Sequence, residues 1–229
     1  MNWMRLSDRR VAAFFSLVLA SGLCLALLAV RVRYPHGYEF RFLAWNLVLA
    51  WIPFLLAVAL HDGARRGRTT AMLASLGALW LLFLPNGPYI VTDFVHVGRA
   101  SGVPVWFDAG MIASFAAVGV VLGLGSVLLV QGVIERRFGA VAGWAALVPI
   151  FALCSLGIYL GRVSRFNSWD AVTNPGRLAR TLGSHLADPL ARPEALVALA
   201  GATGLLVVGY LVLYTVSDLR LERGRRSTD

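Results

Sequence analysis

The stretch from Leu84 to His96 brings together, within thirteen residues, several side chains that could bind a ligand or transfer a proton. It reads Leu-Pro-Asn-Gly-Pro-Tyr-Ile-Val-Thr-Asp-Phe-Val-His. Two prolines and a glycine interrupt the preceding apolar run, and Asp93 and His96 follow them in the sequence. Carboxylates and imidazoles are the groups that proteins use as general acids and bases and as metal ligands. What the stretch can do depends on the elements that position it.

The residues after the interruption predict one polar helix face. Asn86 is a good N-cap residue, so we expect a short helical segment to restart after it. Tyr89, Asp93 and His96 are then spaced i, i+4 and i+7. Residues at that spacing lie on the same side of an α-helix.

The composition predicts an integral membrane protein. The chain is 58% hydrophobic and 14% charged, whereas soluble domains have about 25% charged residues. The net charge of +9 comes from arginine alone, since the sequence contains no lysine. These arginines flank apolar runs, which favours contacts with membrane lipids and anionic head groups over nucleic acid.

The hydropathy pattern predicts an all-α integral membrane fold in a single polytopic domain covering residues 1–229. A membrane helix needs about 20 mainly apolar residues, and six segments meet this requirement. The predicted spans are 11–31, 41–60, 71–93, 107–132, 140–161 and 195–216.

The distribution of arginines predicts the orientation. With six spans, both termini and two of the loops lie on one side of the membrane, together with Arg5, Arg9, Arg10, Arg65, Arg66, Arg68, Arg136, Arg137, Arg220, Arg223, Arg225 and Arg226. The opposite side has Arg31, Arg33, Arg41, Arg99, Arg162, Arg165, Arg177, Arg180 and Arg192. The bias sharpens when the long connection between spans five and six is set aside. Because positive charge accumulates on the cytoplasmic side, we expect both termini to be cytoplasmic.

The third helix is predicted to break at Pro85-Asn86-Gly87-Pro88, inside the membrane. Counted from Ala71, Pro85 lies about 21 Å along a helix, and the hydrocarbon core is about 30 Å thick. Proline lacks a backbone donor, and the carbonyls that it frees must be satisfied by protein or by water in a cavity.

Further polar residues are predicted at the same periplasmic depth. Asp108 begins span four, and Arg162, Arg165, Asn167 and Asp170 follow span five. The connection over 166–194 alternates arginine with leucine and alanine, which predicts an interfacial helix lying on the membrane.

Two of these motifs are similar to those of a known bacterial family. The stretch from Leu84 to Asp93, together with Arg165-Phe166-Asn167-Ser168-Trp169-Asp170, resembles multi-pass membrane proteins catalogued as domain of unknown function 1361. The usual first motif has alanine before the second proline, where this chain has Gly87. The similarity covers most of residues 40–215. It implies an integral membrane location and no particular activity. We expect this membrane to be the bacterial cytoplasmic (inner) membrane.

The polar cluster admits several functions from the sequence. Its members are Asn86, Tyr89, Asp93, His96, Asp108, Arg162, Arg165, Asn167 and Asp170. A structural network of ion pairs and hydrogen bonds is one interpretation. A site for a lipid or phosphate ligand gripped by Arg162 and Arg165 is another.

Two alternatives involve chemistry or transport. Asp93, His96 and Asp170 are candidate ligands for a divalent metal such as Zn, Mn or Mg, as in a metal-dependent lipid-modifying enzyme. The broken third helix is also typical of small-solute transporters. A scaffold without chemistry of its own is a further alternative, and the sequence identifies no certain cofactor.

Overall fold

The computed structural model describes residues 3–98, 102–186 and 193–226. The described residues form α-helices, 3₁₀ helices and turns. The α-helices are α1 Trp3–Arg31, α2 Phe42–Arg65, α3 Thr70–Phe83, α4 Asn86–Tyr89, α5 Val105–Phe138, α6 Ala140–Ala145, α7 Leu147–Val163, α8 Asp170–Thr173, α9 Pro175–Leu186 and α10 Pro193–Arg226. Two 3₁₀ helices cover Gly37–Arg41 and Ile90–His96.

Six helical segments of the described chain are long and apolar enough to cross a membrane, as the sequence predicts. They are Val11–Arg31, Gly37–Arg65, Thr70–His96, Val105–Phe138, Ala140–Val163 and Pro193–Ser217. Most exceed the predicted spans by several residues at one or both ends. Helices continue past the hydrocarbon core because their backbone hydrogen bonds are also satisfied in the head-group region. The all-α membrane fold is confirmed.

The chain divides into two compact units. Unit 1 consists of Met1–Phe54 and Asn86–Gly123, and unit 2 of Leu55–Pro85 and Leu124–Asp229. All three boundaries cut through predicted spans: two of them divide α2 and α5, and the third lies between α3 and α4.

Unit 1 packs α1, the first half of α2 and the first half of α5 around one apolar core. Its most buried side chains include Cys24, Leu43, Ile90, Ile112 and Phe115. Large apolar side chains pointing away from this core, such as Leu19 and Trp45, are exposed. In a membrane protein such faces contact lipid, so exposure of apolar residues here carries no penalty.

Unit 2 has its main interface between α7 and α10. Phe151 and Tyr210 are fully buried, with ring centroids 5.6 Å apart. Side-chain hydrogen bonds connect helices of this unit: Trp80 Nε1 donates to Ser126 Oγ at 3.0 Å, and Thr203 Oγ1 donates to Ser155 Oγ at 3.1 Å. Such interhelical hydrogen bonds satisfy polar atoms that lipid could not.

The third span is built from three pieces. α3 ends at Phe83, α4 begins at Asn86, and the 3₁₀ helix continues to His96. The chain therefore resumes a helical path at Asn86 itself, one residue before the predicted restart.

The connection after span five contains α8 and α9, which fall within the predicted 166–194 segment. α9 is amphipathic, with Arg177 and Arg180 exposed and Leu178 half-buried. Its position on the membrane surface stays a prediction, and residues 187–192 of the predicted connection lie outside the described residues.

Candidate functional site

A buried ion pair joins the end of α1 to the start of α5. Arg31 Nε lies 2.6 Å from Asp108 Oδ1, and Arg31 Nη2 lies 3.3 Å from Asp108 Oδ2. The two side chains are 0% and 1% exposed. This two-pronged geometry is the strongest form of arginine–carboxylate pairing.

The loop after α1 completes the surroundings of Arg31. Arg31 Nη1 donates to the carbonyl oxygen of Pro35 at 2.9 Å, and the guanidinium lies 5.0 Å from the centroid of the Phe40 ring. Gly37 packs directly on the backbone carbonyl of Arg31, where any Cβ would collide. Glycine at this position lets the loop fold back tightly enough to place Pro35 and Phe40 around the charge.

A second buried polar contact joins α2 to the 3₁₀ helix Ile90–His96. Asn46 Nδ2 donates to Asp93 Oδ2 at 2.9 Å, and Asp93 is 2% exposed. A charge-assisted bond of this kind offsets part of the cost of burying the carboxylate. Asp93 is therefore placed by a residue on a neighbouring span.

The 3₁₀ helix changes which residues share a face. Its period is 3.0 residues, so side chains three apart line up. Gly87, Ile90 and Asp93 are buried and His96 is half-buried, whereas Val91 and Phe94 are exposed. The predicted face of Tyr89, Asp93 and His96 assumed the α-helical period. In the structure Tyr89 is off the row that Asp93 and His96 share.

Close backbone packing fixes the start of this row. A Cβ added at Gly87 would lie 2.9 Å from the carbonyl oxygen of Gly119 and 3.0 Å from Gly123 Cα. Gly119 and Gly123 on α5 thus form the surface that receives Gly87. Small residues at helix contacts in membranes permit this approach.

The remaining predicted site residues of unit 1 are half-buried. Asn86 begins α4, and the carbonyl oxygen of Tyr89 accepts from Thr92 Oγ1 at 2.8 Å. The His96 ring packs against Phe42, with centroids 4.9 Å apart. Unit 1 therefore contains Asn86, Tyr89, Asp93, His96 and Asp108 of the predicted cluster.

The other four members, Arg162, Arg165, Asn167 and Asp170, belong to unit 2. Arg162 lies in the last turn of α7 and is half-buried, and Arg165 is exposed with a left-handed φ of 55°. Asp170 accepts a hydrogen bond from the backbone N–H of Asn167 at 2.7 Å, and its own N–H donates to the Asn167 carbonyl at 2.9 Å. This reciprocal pair closes the turn that leads into α8.

Two functional-looking residues were not in the predicted cluster. Arg31 counts in the sequence as one of the flanking arginines, and Asn46 as a polar residue within span two. Both could have been selected from the sequence, because a polar group at membrane depth needs a partner from another element. The sequence does not say which element supplies it.

No three His, Cys, Asp or Glu side chains come together as a metal-binding group within the ranges that the structure describes. Asp93 and His96, two of the predicted ligands, are on one row of the 3₁₀ helix, and Asp170 belongs to unit 2. Asn46 already occupies one oxygen of Asp93. A metal bound by Asp93 through that oxygen would have to share it with this amide.

Comparison with known proteins gives one match. No curated protein and no solved structure matches the chain. Residues 45–210, which are more than half of the 229-residue chain, match the family described as "Protein of unknown function (DUF1361)". Six apolar helices and this match show a multi-pass membrane protein whose family has no described activity. The chain belongs to the DUF1361 family.

Proposed function

We propose that the polar residues of unit 1 form a structural network that holds the periplasmic ends of the first four spans of an inner-membrane protein. The observation that carries this proposal is the Arg31–Asp108 pair, which is buried and bidentate. It connects span one to span four, and Asn46–Asp93 connects span two to span three. Each of the four spans takes part in at least one of these two polar connections.

The surroundings of these pairs favour a structural role over chemistry. Both carboxylate oxygens of Asp108 accept hydrogen bonds from the Arg31 guanidinium, at 2.6 and 3.3 Å, and neither side chain is open to solvent. Arg31 is directed by Pro35 and Phe40 as well as by Asp108. Groups so fully engaged are positioned to fix helices rather than to exchange ligands.

A double-mutant cycle tests the structural network. Arg31→Met, Asp108→Leu and the double variant are compared with the parent protein by thermal unfolding in detergent. We expect each single variant to be strongly destabilised and the double variant to recover much of the loss, because no unpaired charge then remains buried. Additive losses would overturn the proposal.

A second candidate function, binding of a phosphate-bearing lipid head group, is favoured by the arginines of unit 2. Arg165 is exposed in a left-handed conformation at a position that glycine usually occupies after a helix. Phe166 follows Arg165 directly in the sequence, and the Arg177 guanidinium carbon lies 4.8 Å from the centroid of the Phe166 ring. Arginine is well suited to bidentate contact with phosphate.

Lipid binding by purified protein tests this second function. The variant Arg162→Gln/Arg165→Gln is compared with Arg33→Gln/Arg41→Gln, which removes two exposed arginines of unit 1. We expect the first variant to bind a phosphatidic acid probe more weakly than the parent protein does, and the second to bind it as the parent does. Equal affinities in the two variants would exclude Arg162 and Arg165 as the site.

The metal alternative is tested by measuring the metal content of the purified protein. Protein purified without chelators is measured for divalent metal, and the same is done for Asp93→Ala/His96→Ala. Under the structural network neither protein contains stoichiometric metal. Metal present in the parent and absent from the variant would replace the structural proposal with the metal site.

A further inference from the structure

We infer that unit 2 binds an anionic phospholipid at the end where α5 finishes and the α2–α3 turn begins, which we call the arginine rim. The rim consists of Arg65, Arg66, Arg68, Arg136 and Arg137. This site shares no residue with the network of unit 1 or with the arginines that follow α7, so it goes beyond the proposed function.

The rim is a single surface because its two segments touch. Arg137 Nη2 donates to Thr70 Oγ1 at 2.8 Å, which places the end of α5 against the first turn of α3. The backbone N–H of Arg68 donates to the carbonyl of Gly63 at 3.0 Å, and the Arg68 side chain packs along Gly63. The tight α2–α3 turn therefore presents its arginines beside α5.

All five rim arginines are exposed, whereas the acidic residues nearby are engaged elsewhere. Glu135 accepts a hydrogen bond from Gln131 Nε2 at 2.8 Å, and its stem packs on Gly143. Asp62 lies 3.5 Å from the His61 ring nitrogen. Five arginines against these two carboxylates leave an excess of three positive charges. Such a surplus at a membrane surface attracts anionic head groups.

Exposed apolar side chains follow the rim arginines along the chain and can contact acyl chains. Phe138 directly follows Arg137 and is 68% exposed, and Val141 on α6 is 84% exposed. Val148 and Leu153, on the adjoining α7, are also exposed. A ligand with a phosphate and acyl chains matches this sequence of charged and apolar surface, whereas free phosphate matches the arginines only.

Lipid titration of the full-length protein in zwitterionic detergent tests the inference. The probes are short-chain phosphatidylglycerol, short-chain phosphatidylcholine and inorganic phosphate, and binding is measured by native mass spectrometry. The rim variant is Arg65→Gln/Arg66→Gln/Arg136→Gln, which spares the Arg137–Thr70 contact. The matched control is Arg33→Gln/Arg41→Gln/Arg180→Gln, which removes three exposed arginines elsewhere.

We expect the parent and the control variant to bind phosphatidylglycerol, and the rim variant to bind it at least about tenfold more weakly, since one arginine near an anionic surface contributes up to about fivefold. Replacing the same three rim residues by lysine should restore binding, because lysine keeps the charge. An unchanged thermal unfolding midpoint of the glutamine variant shows that its weaker binding is not caused by misfolding. Equal binding by the rim and control variants, or no preference for phosphatidylglycerol over phosphatidylcholine, would overturn the inference. Full competition by millimolar inorganic phosphate would also overturn it, since it would show a phosphate site without a lipid component.

Discussion

The polar residues of unit 1 and those that follow α7 in unit 2 differ in how they are satisfied. In unit 1, Arg31 and Asp108 are 77 positions apart in sequence, buried, and paired across two spans. In unit 2, Asp170 bonds to Asn167, three positions away, and the turn is exposed. The first arrangement connects spans, and the second shapes a local turn.

This difference follows from the cost of burying charge. A buried charge without a partner costs several kcal/mol, so the burial of Arg31 requires a compensating group, which Asp108 supplies. An exposed arginine such as Arg165 is solvated and needs no fixed partner. Buried pairs therefore indicate architecture, and exposed arginines indicate where a ligand can bind.

Removing one partner of the buried ion pair should give the largest effect. Asp108→Ala leaves the Arg31 guanidinium buried without its carboxylate, and we expect a loss of about 3–5 kcal/mol in the free energy of unfolding. The measurement is chemical or thermal unfolding in detergent. A loss near that of an exposed acidic residue, measured on Glu39→Ala, would show that the pair is solvated in the membrane-embedded protein.

Removing the amide partner of Asp93 should have the next largest effect. Asn46→Ala deprives a buried carboxylate of a donor, and we expect a loss of about 1.5–3 kcal/mol. Asp93→Ala and the double variant complete the cycle, again by unfolding in detergent. The two losses should be non-additive because the groups touch; additive losses would mean that other partners decide the stability of each residue.

Two glycines of α5 provide a matched pair for the packing in unit 1. A Cβ at Gly119 would lie 2.5 Å from the carbonyl oxygen of Gly87, whereas a Cβ at Gly110 meets nothing within 4 Å. We expect Gly119→Ala to cost about 1–3 kcal/mol by overpacking. Gly110→Ala should be neutral or stabilise by up to about 1 kcal/mol, because alanine favours helix. Unfolding of the two variants in parallel checks this, and equal stabilities would contradict the packing of Gly87 on α5.

The turn in unit 2 should be the least sensitive. Asp170→Ala removes the side-chain acceptor of the Asn167 N–H in an exposed turn, and we expect a loss of about 0.5–1 kcal/mol. Arg165→Gly should not destabilise, because glycine adopts a positive φ without strain. A loss in either variant as large as that of Asp108→Ala would remove the contrast between the two units.

Most of the membrane architecture could be predicted because it depends on local composition. Apolar runs of membrane-spanning length bounded by arginines give six helices without reference to any contact. The helical period after Asn86 could not be predicted in this way. Residues 90–96 suit both periods in sequence, and in the structure the buried row consists of Gly87, Ile90 and Asp93, with Gly87 packed on α5.

The choice of Asp93 and Asp108 as unusual residues also came from the sequence, since a carboxylate close to a membrane span is costly wherever the chain folds. The identity of their hydrogen-bond and ion-pair partners could not be predicted from the sequence. Arg31 and Asn46 look like an ordinary flanking arginine and an ordinary polar residue in a span until the tertiary structure brings them to Asp108 and Asp93. The sequence by itself determined that these charges would need compensation, because desolvation depends on residue type and depth. Only the packing of α1 and α2 against α5 and the 3₁₀ helix decided which side chains supply it, because a hydrogen bond requires atoms about 3 Å apart and no local pattern encodes that distance.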